Sequence, residues 1–359
     1  MRPLSLAKSF TRRKLLGGAA AVAGAGLVTA SPSFAEDERK QDGPAAIEPL
    51  QIDARPIAHF QRGQPSLTKF GPLEFRGGMV LSSPSSHFGG WSGMVISPDG
   101  RNLLAVSDVG VWLTADLAYE GNRPARLERA RIGPLLGNDK RPLRSKQQQD
   151  AEALTLLEGT LARGTVLVGF ERAHRIARYE VRNREILAPT GYLGLPREAM
   201  RMQSNQGIEA VAILQAGPLK GSVIAFAERF TRGSGYHTGW MWVKGEAQRI
   251  QLQDIDGFNI TDAAGLPDGS LLVLERYFRW TSGVKMRIRH LAAGEIVPGA
   301  RLTGRTLVEA DAGYEIDNME CMAVHRGAKG ETVVSLLSDD NFNTLIQRTV
   351  FLQFALVSE

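Results

Sequence analysis

Ile260–Arg276, ITDAAGLPDGSLLVLER, is the stretch that decides the fold. Pro267-Asp268-Gly269 marks a turn, because proline presets φ and glycine accepts the positive φ that other residues adopt only at a steric cost. Short apolar runs flank it, and Asp-Gly between such runs is a strong hairpin signal. Folding about Asp268-Gly269 predicts that Asp262 lies opposite Glu275. One carboxylate then opens the first strand and the other closes the second, both at the same end of the pair.

The arrangement recurs along the chain. Glu152 opens a run that returns as VLVGFER, closed by Glu171, and Glu209 opens one that returns as VIAFAER, closed by Glu228. Glu320 opens a third, returning as VVSLLSDD and closed by Asp339. In the first copy Ser92 stands at the opening position, SPDG makes the turn and Asp108 closes. Opener and closer are 19 residues apart in the three Glu copies, 16 in the Ser92 copy and 13 in the Asp262 copy, differences that hairpin loops at the far end absorb. Successive openers are 60, 57, 53 and 58 residues apart. A period of this size with β patterning predicts an all-β fold, a single β-propeller with five blades counted and six as the alternative. The last copy offers only ECMAVH, TVVSLLS and TVFLQFAL, so N-terminal strands from Leu50–Ser83 are expected to close the ring. Glu120–Gln149 reads as a long charged insertion on one rim, and Thr231–Thr238 as a Gly-rich loop.

Charge excludes one class of partner. Residues 1–35 hold Arg2, Lys8, Arg12, Arg13 and Lys14 and no acid, which accounts for the whole net charge of +5 and leaves 38 basic against 38 acidic residues in the remainder. A balanced chain gives no case for binding nucleic acid or an anionic membrane surface. The same segment reads as an export signal. Thr11-Arg12-Arg13-Lys14-Leu15-Leu16 matches the twin-arginine pattern, Leu15–Val28 is a weakly apolar core, and Ser33-Phe34-Ala35 is a small-x-small cleavage site. The expected organisation is a twin-arginine signal peptide over 1–35, a polar linker over 36–46, and the propeller over 47–359. Export machinery is the implied partner, the bacterial periplasm or exterior the implied address, and the apolar run is too short for a stable membrane anchor. Cys321 is the sole cysteine, so no intramolecular disulfide forms, and it reads as a small buried hydrophobe. Gly90-Trp91-Ser92-Gly93-Met94 lacks the spacing of a nucleophile elbow, and His59, His87, His174, His237, His290 and His325 show no metal-ligand spacing.

The repeated acids carry the chemistry. The first strand of each propeller blade lines the central channel, so Glu152, Glu209, Asp262 and Glu320 are expected to converge at one mouth, with Ser92 replacing the fifth acid. Crowded carboxylates must take up protons or be neutralised by cations. Arg172, Arg229 and Arg276, each directly after a closing Glu, are candidate inter-blade partners or substrate-binding groups. The alternative neutraliser is a hard cation such as Ca²⁺, whose oxygen ligands would come from Asp108, Glu152, Glu171, Glu209, Glu228, Asp262, Glu275, Glu320 and Asp339. Asp150, Asn205 and Asn318 lie close enough in sequence to add ligands. Glu152, Glu209, Asp262 and Glu320 are the candidate catalytic set.

Several stretches carry a family resemblance: FGPLEFRGGMVLSS, GGWSGMVISPDGRNLLAVSD, DAEALTLL with FERAHRIARYEV, NQGIEAVAIL, TDAAGLPDGSLLVLERYF, and DNMECMAVH with SDDNFNTLIQRTVFLQF. Together they span roughly Leu50–Phe354, and the chain resembles the phytase-like family of exported bacterial proteins with esterase-like activity. The resemblance implies hydrolysis of a small-molecule ester or phosphoester by a propeller. More distantly related alkaline propeller phytases use Ca²⁺ to bridge carboxylates and substrate phosphate, but this chain lacks their Asp-Asp-Pro-Ala and Asn-Asn-x-Asp segments. The expectation is a metal-assisted hydrolase at a carboxylate-lined mouth, against a non-catalytic binding or scaffold propeller whose Glu and Arg repeats are structural.

Overall fold

The computed structural model describes residues 43–204, 206–228, 230 and 234–357. The export signal, most of the linker, Asn205 and Arg229 therefore lie outside the described residues, as do positions 231–233 of the Gly-rich loop.

Five antiparallel sheets succeed one another along the chain. Blade 1 is Trp91–Ile96, Asn102–Ser107, Val111–Glu120 and Arg123–Pro134, with Glu48–Pro49 added at its outer edge. Blade 2 is Ala151–Gly159, Arg163–Phe170, Arg175–Arg182 and Glu185–Leu193. Blade 3 is Ile208–Ile213, Val223–Ala227, Tyr236–Val243 and Glu246–Gln253, flanked by Arg301–Leu302. Blade 4 is Asn259–Gly265, Leu271–Arg279, Gly283–Leu291 and Arg305–Ala310. Blade 5 takes Asn318–Arg326, Thr332–Asp339 and Thr349–Leu356 from the C-terminal region. Its fourth strand is Leu73–Ser82, paired antiparallel with Thr349–Leu356, and Asp53–Ile57 lies outside that. The N-terminal strands thus close a five-bladed ring, as the count of three C-terminal runs requires. Each inner strand touches those of the blades before and after it, blade 5 returning to blade 1.

The core is divided in the same way. Each gap between adjacent blades is filled by one cluster of buried apolar side chains, five clusters for five gaps. Along Arg163–Phe170, Val166, Val168 and Phe170 pack toward blade 1 while Leu167 packs toward blade 3. Both faces of a blade are buried, so its strands read as unbroken apolar runs instead of alternating ones. Near the channel the inner strands approach too closely for large residues: a Cβ on Gly93 would lie 2.5 Å from the backbone nitrogen of Leu154.

The deciding hairpin forms at the expected turn. Leu266 and Ser270 close it through a 2.8 Å backbone bond, Gly269 has φ +90°, and the Asp268 carboxylate accepts from both the amide and the hydroxyl of Ser270. Its register differs from the expectation by one residue. Glu275 pairs with Ile260 and Leu274 with Asp262, leaving Thr261 as the extra residue of a β-bulge. Asp262 is therefore not opposite Glu275. A second correction concerns Glu120–Gln149, of which Arg123–Pro134 is the regular outer strand of blade 1. Only the stretch beyond Pro134 is a connection, and its single helical turn, Lys146–Gln149, leads into the inner strand of blade 2.

Candidate functional site

The bulge in blade 4 is one of five. Ser92, Glu152, Glu209, Thr261 and Glu320 are each the unpaired extra residue near the start of an inner strand. The neighbouring strand of each blade runs back to the same end and brings up Asp108, Glu171, Glu228, Arg276 and Asp339 in turn. A bulge re-aims the side chain it carries, and here it does so at the same rung of every blade. The mouth of the channel is thus a double ring of ten positions. Seven are acids, and blade 4 breaks the pattern twice, with Thr261 and Arg276.

Asp262 and Glu275, both expected as ligands and Asp262 also as a catalytic group, are excluded from this ring. Asp262 occupies the slot filled elsewhere by Gly93, Ala153, Ala210 and Cys321. It is buried, and its carboxylate accepts from the amides of Ala263 (2.7 Å) and Met322 (2.6 Å), tying the inner strand of blade 4 to that of blade 5. Glu275 is fully buried and paired with Arg289, with Arg287 Nη1 3.8 Å away. Both acids build the scaffold. The remaining expected acids, Asp108, Glu152, Glu171, Glu209, Glu228, Glu320 and Asp339, do share the mouth.

Their neighbours set their chemistry. Lys146 Nζ lies 2.7 Å from both Asp108 Oδ2 and Asp150 Oδ1, bridging blades 1 and 2. Arg172 Nε reaches the other oxygen of Asp150 at 2.9 Å. Arg276 donates to Asn318 Oδ1 at 2.6 Å and lies 3.2 Å from Glu320 Oε1, an ion pair between blades 4 and 5. These three cations face eight mouth carboxylates once the buried Asp150 is included. Among the described residues, no hydrogen bond or ion pair reaches the carboxylate of Glu152 or Glu209.

Two overlapping triads of acids lie on blades 2 and 3, Asp150–Glu152–Glu171 and Glu171–Glu209–Glu228. Within each, one oxygen per residue lies within 4.8 Å of the others. Burial, and then the charges of Asp150, Asp108 and Glu171, push the Glu152 pKa well above the usual carboxylate range against the pull of Lys146. Glu209 is raised likewise by burial, then by Glu171, Glu152, Glu228 and Glu320. Glu171 is pushed up to about 8, by burial and then by Asp150 and Glu228. Asp339 rises through burial and the charges of Asp108 and Asp340.

The donor set fits a hard divalent cation. Calcium takes oxygen ligands at about 2.3–2.6 Å, so ligand oxygens around it stand at most about 5 Å apart, which the two triads satisfy. Asp150, with both oxygens bound to cations, orients its neighbours more than it offers a ligand; Glu171, Glu209 and Glu228 would hold the ion, with Glu152 adjoining Glu171. Lys146 was not among the expected site residues, although its position four before Asp150, on the turn leading into Glu152, carries the signal of an i,i+4 pair.

Comparison with known proteins supplies a family. The family model described as Phytase-like: Esterase-like activity of phytase matches residues 86–342, a span that contains every ring position. No curated protein matches the chain.

Proposed function

The chain belongs to the phytase-like family, and on that footing we propose that it is an exported, calcium-assisted hydrolase of small-molecule esters or phosphoesters. The observation that carries the reading is the pair Glu152 and Glu209, two carboxylates that no donor among the described residues reaches, flanked by Glu171. Side chains kept only as blade clamps would each have a cationic partner, as Glu320 has in Arg276. A calcium ion held by this sector would polarise the carbonyl or phosphoryl oxygen of the substrate and lower the pKa of a water beside it.

The protein's own groups prepare the sector. Lys146 and Arg172 hold Asp150 fixed, so the backbone leading into Glu152 starts from an anchored point. Arg276 neutralises the blade 4–5 side and leaves the blade 2–3 side as the strongest attractor for a cation. Arg172 and Arg276 present guanidinium groups at the mouth, each oriented by a carboxylate, and substrate oxygens would lie beside them. Arg229, outside the described residues, would extend the same row. Export by the twin-arginine route would place the reaction in the periplasm or outside the cell, and neither nucleic acid nor a membrane anchor enters the reading.

The test is turnover. Purified protein is given 4-nitrophenyl esters and 4-nitrophenyl phosphate, with Ca²⁺ and with a chelator. The reading expects hydrolysis that the chelator abolishes and Ca²⁺ restores. Absence of turnover on every substrate in the presence of Ca²⁺ favours the scaffold alternative.

A further inference from the structure

The two acid triads at the mouth are not equivalent, because one of them already holds a cation. Lys146 Nζ lies 2.7 Å from Asp150 Oδ1, and one oxygen each of Asp150, Glu152 and Glu171 lies within 4.8 Å of the others. The same ammonium lies 2.7 Å from Asp108 Oδ2 and 3.4 Å from the Asp108 carbonyl oxygen. It therefore gathers three oxygens from two blades. Burial works to lower the Lys146 pKa, but the charges of Asp108, Asp150 and Glu152 outweigh it, so the group stays an ammonium. Calcium takes about six to eight oxygens at 2.3–2.6 Å. An ion in the place of Nζ would thus draw Asp108 Oδ2 and Asp150 Oδ1 inward by roughly a few tenths of an ångström.

The chain fixes the lysine in this position. Lys146 opens the single helical turn Lys146–Gln149, which sets its side chain one turn before Asp150. The amides of Gln148 and Gln149 donate to the Ser145 carbonyl at 2.7 and 2.9 Å, and the Asp150 amide donates to the Lys146 carbonyl at 3.1 Å. Gln149 is buried against Gly110 of blade 1, where a Cβ would stand 2.7 Å from its Cγ, and its amide donates to the Leu143 carbonyl. On the other side the Asp150 carbonyl accepts from the Glu171 amide at 2.9 Å, and its second carboxylate oxygen is held by Arg172. The turn is pinned to blade 1 and the acid to blade 2. In the other triad, by contrast, no hydrogen bond or ion pair among the described residues reaches the Glu209 carboxylate.

We propose that Lys146 is a built-in replacement for a second divalent cation. Its ammonium fills the Asp108–Asp150–Glu152 side of the mouth, so the protein takes a single Ca²⁺, at Glu171, Glu209 and Glu228, where the same ring without the lysine would take two. The lysine's occupancy stands on its own distances; the count of one ion in the parent rests on the calcium reading above. Without the ammonium, Asp108, Asp150 and Glu152 must take up a proton or a free cation in its place. The two sides of the mouth then differ in how they keep their cation. A tethered ammonium is present at a high effective concentration and no chelator removes it. The junction of blades 1 and 2 therefore stays neutralised while the site between blades 2 and 3 loads and empties with the calcium outside.

The experiment counts ions. Ca²⁺ is titrated calorimetrically into the purified parent, Lys146→Met, Lys146→Gln and Lys146→Arg, and each protein is melted in Ca²⁺ and in chelator. Lys146→Gln keeps an amide that can donate to the two aspartates, which guards against a fold lost with the longer change. The expected result is one ion in the parent and in Lys146→Arg, and one more in Lys146→Met and Lys146→Gln. In chelator the last two should melt below the parent, and Ca²⁺ should raise their melting temperatures by more than it raises the parent's. Variants that gain no ion, variants that stay unfolded even in Ca²⁺, or a parent that already takes two ions would overturn the proposal. The calcium reading fails separately. A parent that binds no Ca²⁺ beside a Lys146→Met protein that binds one removes the site at Glu171, Glu209 and Glu228 and keeps the role of the lysine.

Discussion

Replacing Glu209 with glutamine distinguishes a cation site from a blade clamp. In the metal-free protein one oxygen each of Glu171, Glu209 and Glu228 lies within 4.8 Å of the others. Two ionised carboxylates at that separation repel by about 3.5 kcal/mol at an effective dielectric near 20. With two such neighbours Glu209 would face repulsion on the order of 7 kcal/mol, against a total stability of about 5–15 kcal/mol for a typical domain. The ring must therefore hold protons when it holds no cation, in line with the raised pKa of Glu209. Glutamine resembles the protonated acid, so metal-free stability at neutral pH should stay within about 1 kcal/mol of the parent. A carboxyl whose folded pKa is raised contributes stability below its unfolded value of 4.5 and loses it as pH rises through the folded value. In chelator the variant should accordingly be the more stable protein at alkaline pH. Calcium at a hundredfold excess over its Kd adds about 2.7 kcal/mol to a protein that binds it, a gain the parent should show and the variant should largely lose. Urea or thermal melts of both proteins, with Ca²⁺ and with chelator, read all of this. A variant destabilised equally in both conditions would mean that Glu209 sits in a clamp, and the cation site would be refuted.

Asp262→Asn and Glu275→Gln should destabilise the protein without altering Ca²⁺ affinity: about 1–3 kcal/mol for the first, which disturbs two amide bonds, and about 3–5 kcal/mol for the second, which strands the buried Arg289. Calorimetric Ca²⁺ titration beside urea melts checks both, and a lost Ca²⁺ site in either variant would restore that residue to the ring. Burial, and then the charge of Arg76, depress the His325 pKa to about 4 from 6.5. The unfolded chain is protonated first, so stability is full above pH 6.5 and falls toward pH 4 by about 3 kcal/mol, a loss that urea titrations should find missing in His325→Gln. Changing Arg12 and Arg13 to lysine should leave the precursor in the cytoplasm, as fractionation would show; normal export of that variant refutes the twin-arginine assignment.

The architecture was legible because a propeller repeats itself. Five openers at near-constant spacing and apolar strand runs pointed to five blades, with six as the alternative, and a missing fourth C-terminal strand indicated the manner of closure. The registers were less accessible. A β-bulge adds one residue without changing residue type, so counting outward from Gly269 gave Asp262 and Glu275, whereas the bulged register puts Thr261 and Arg276 at the ring positions. The repeat held a clue: an opener-to-closer distance of 13 stood apart from 16 and 19, and the ring positions Thr261 and Arg276 are 15 apart. The pull of two acids in the expected chemistry outweighed that clue. Lys146 and the double pairing of Asp150 came from a connection between blades, where no repeat exists to compare.

The departures from the repeat explain where function settles. A perfectly fivefold ring of acids would offer a cation five equivalent gaps, and its mutual repulsion would spread evenly. Here Lys146 and Arg276 each fill one gap, between blades 1 and 2 and between blades 4 and 5. Burial works to lower the Arg276 pKa, but the charges of Glu320, Glu228, Glu209 and Asp339 outweigh it and raise the value, so its positive charge is held. Thr261 removes an acid beside it and bonds instead to the Met319 carbonyl at 3.1 Å. Neutralised on those two sides, the ring keeps between blades 2 and 3 the carboxylates of Glu152 and Glu209, which no donor among the described residues reaches, beside Glu171, which accepts only from the Gly207 amide at 3.5 Å among the described residues. The substitutions in blade 4 thus act at a distance from the sector they define. Arg276→Gln is the change that would blur it: with Glu320 released, a cation would find a second competing gap.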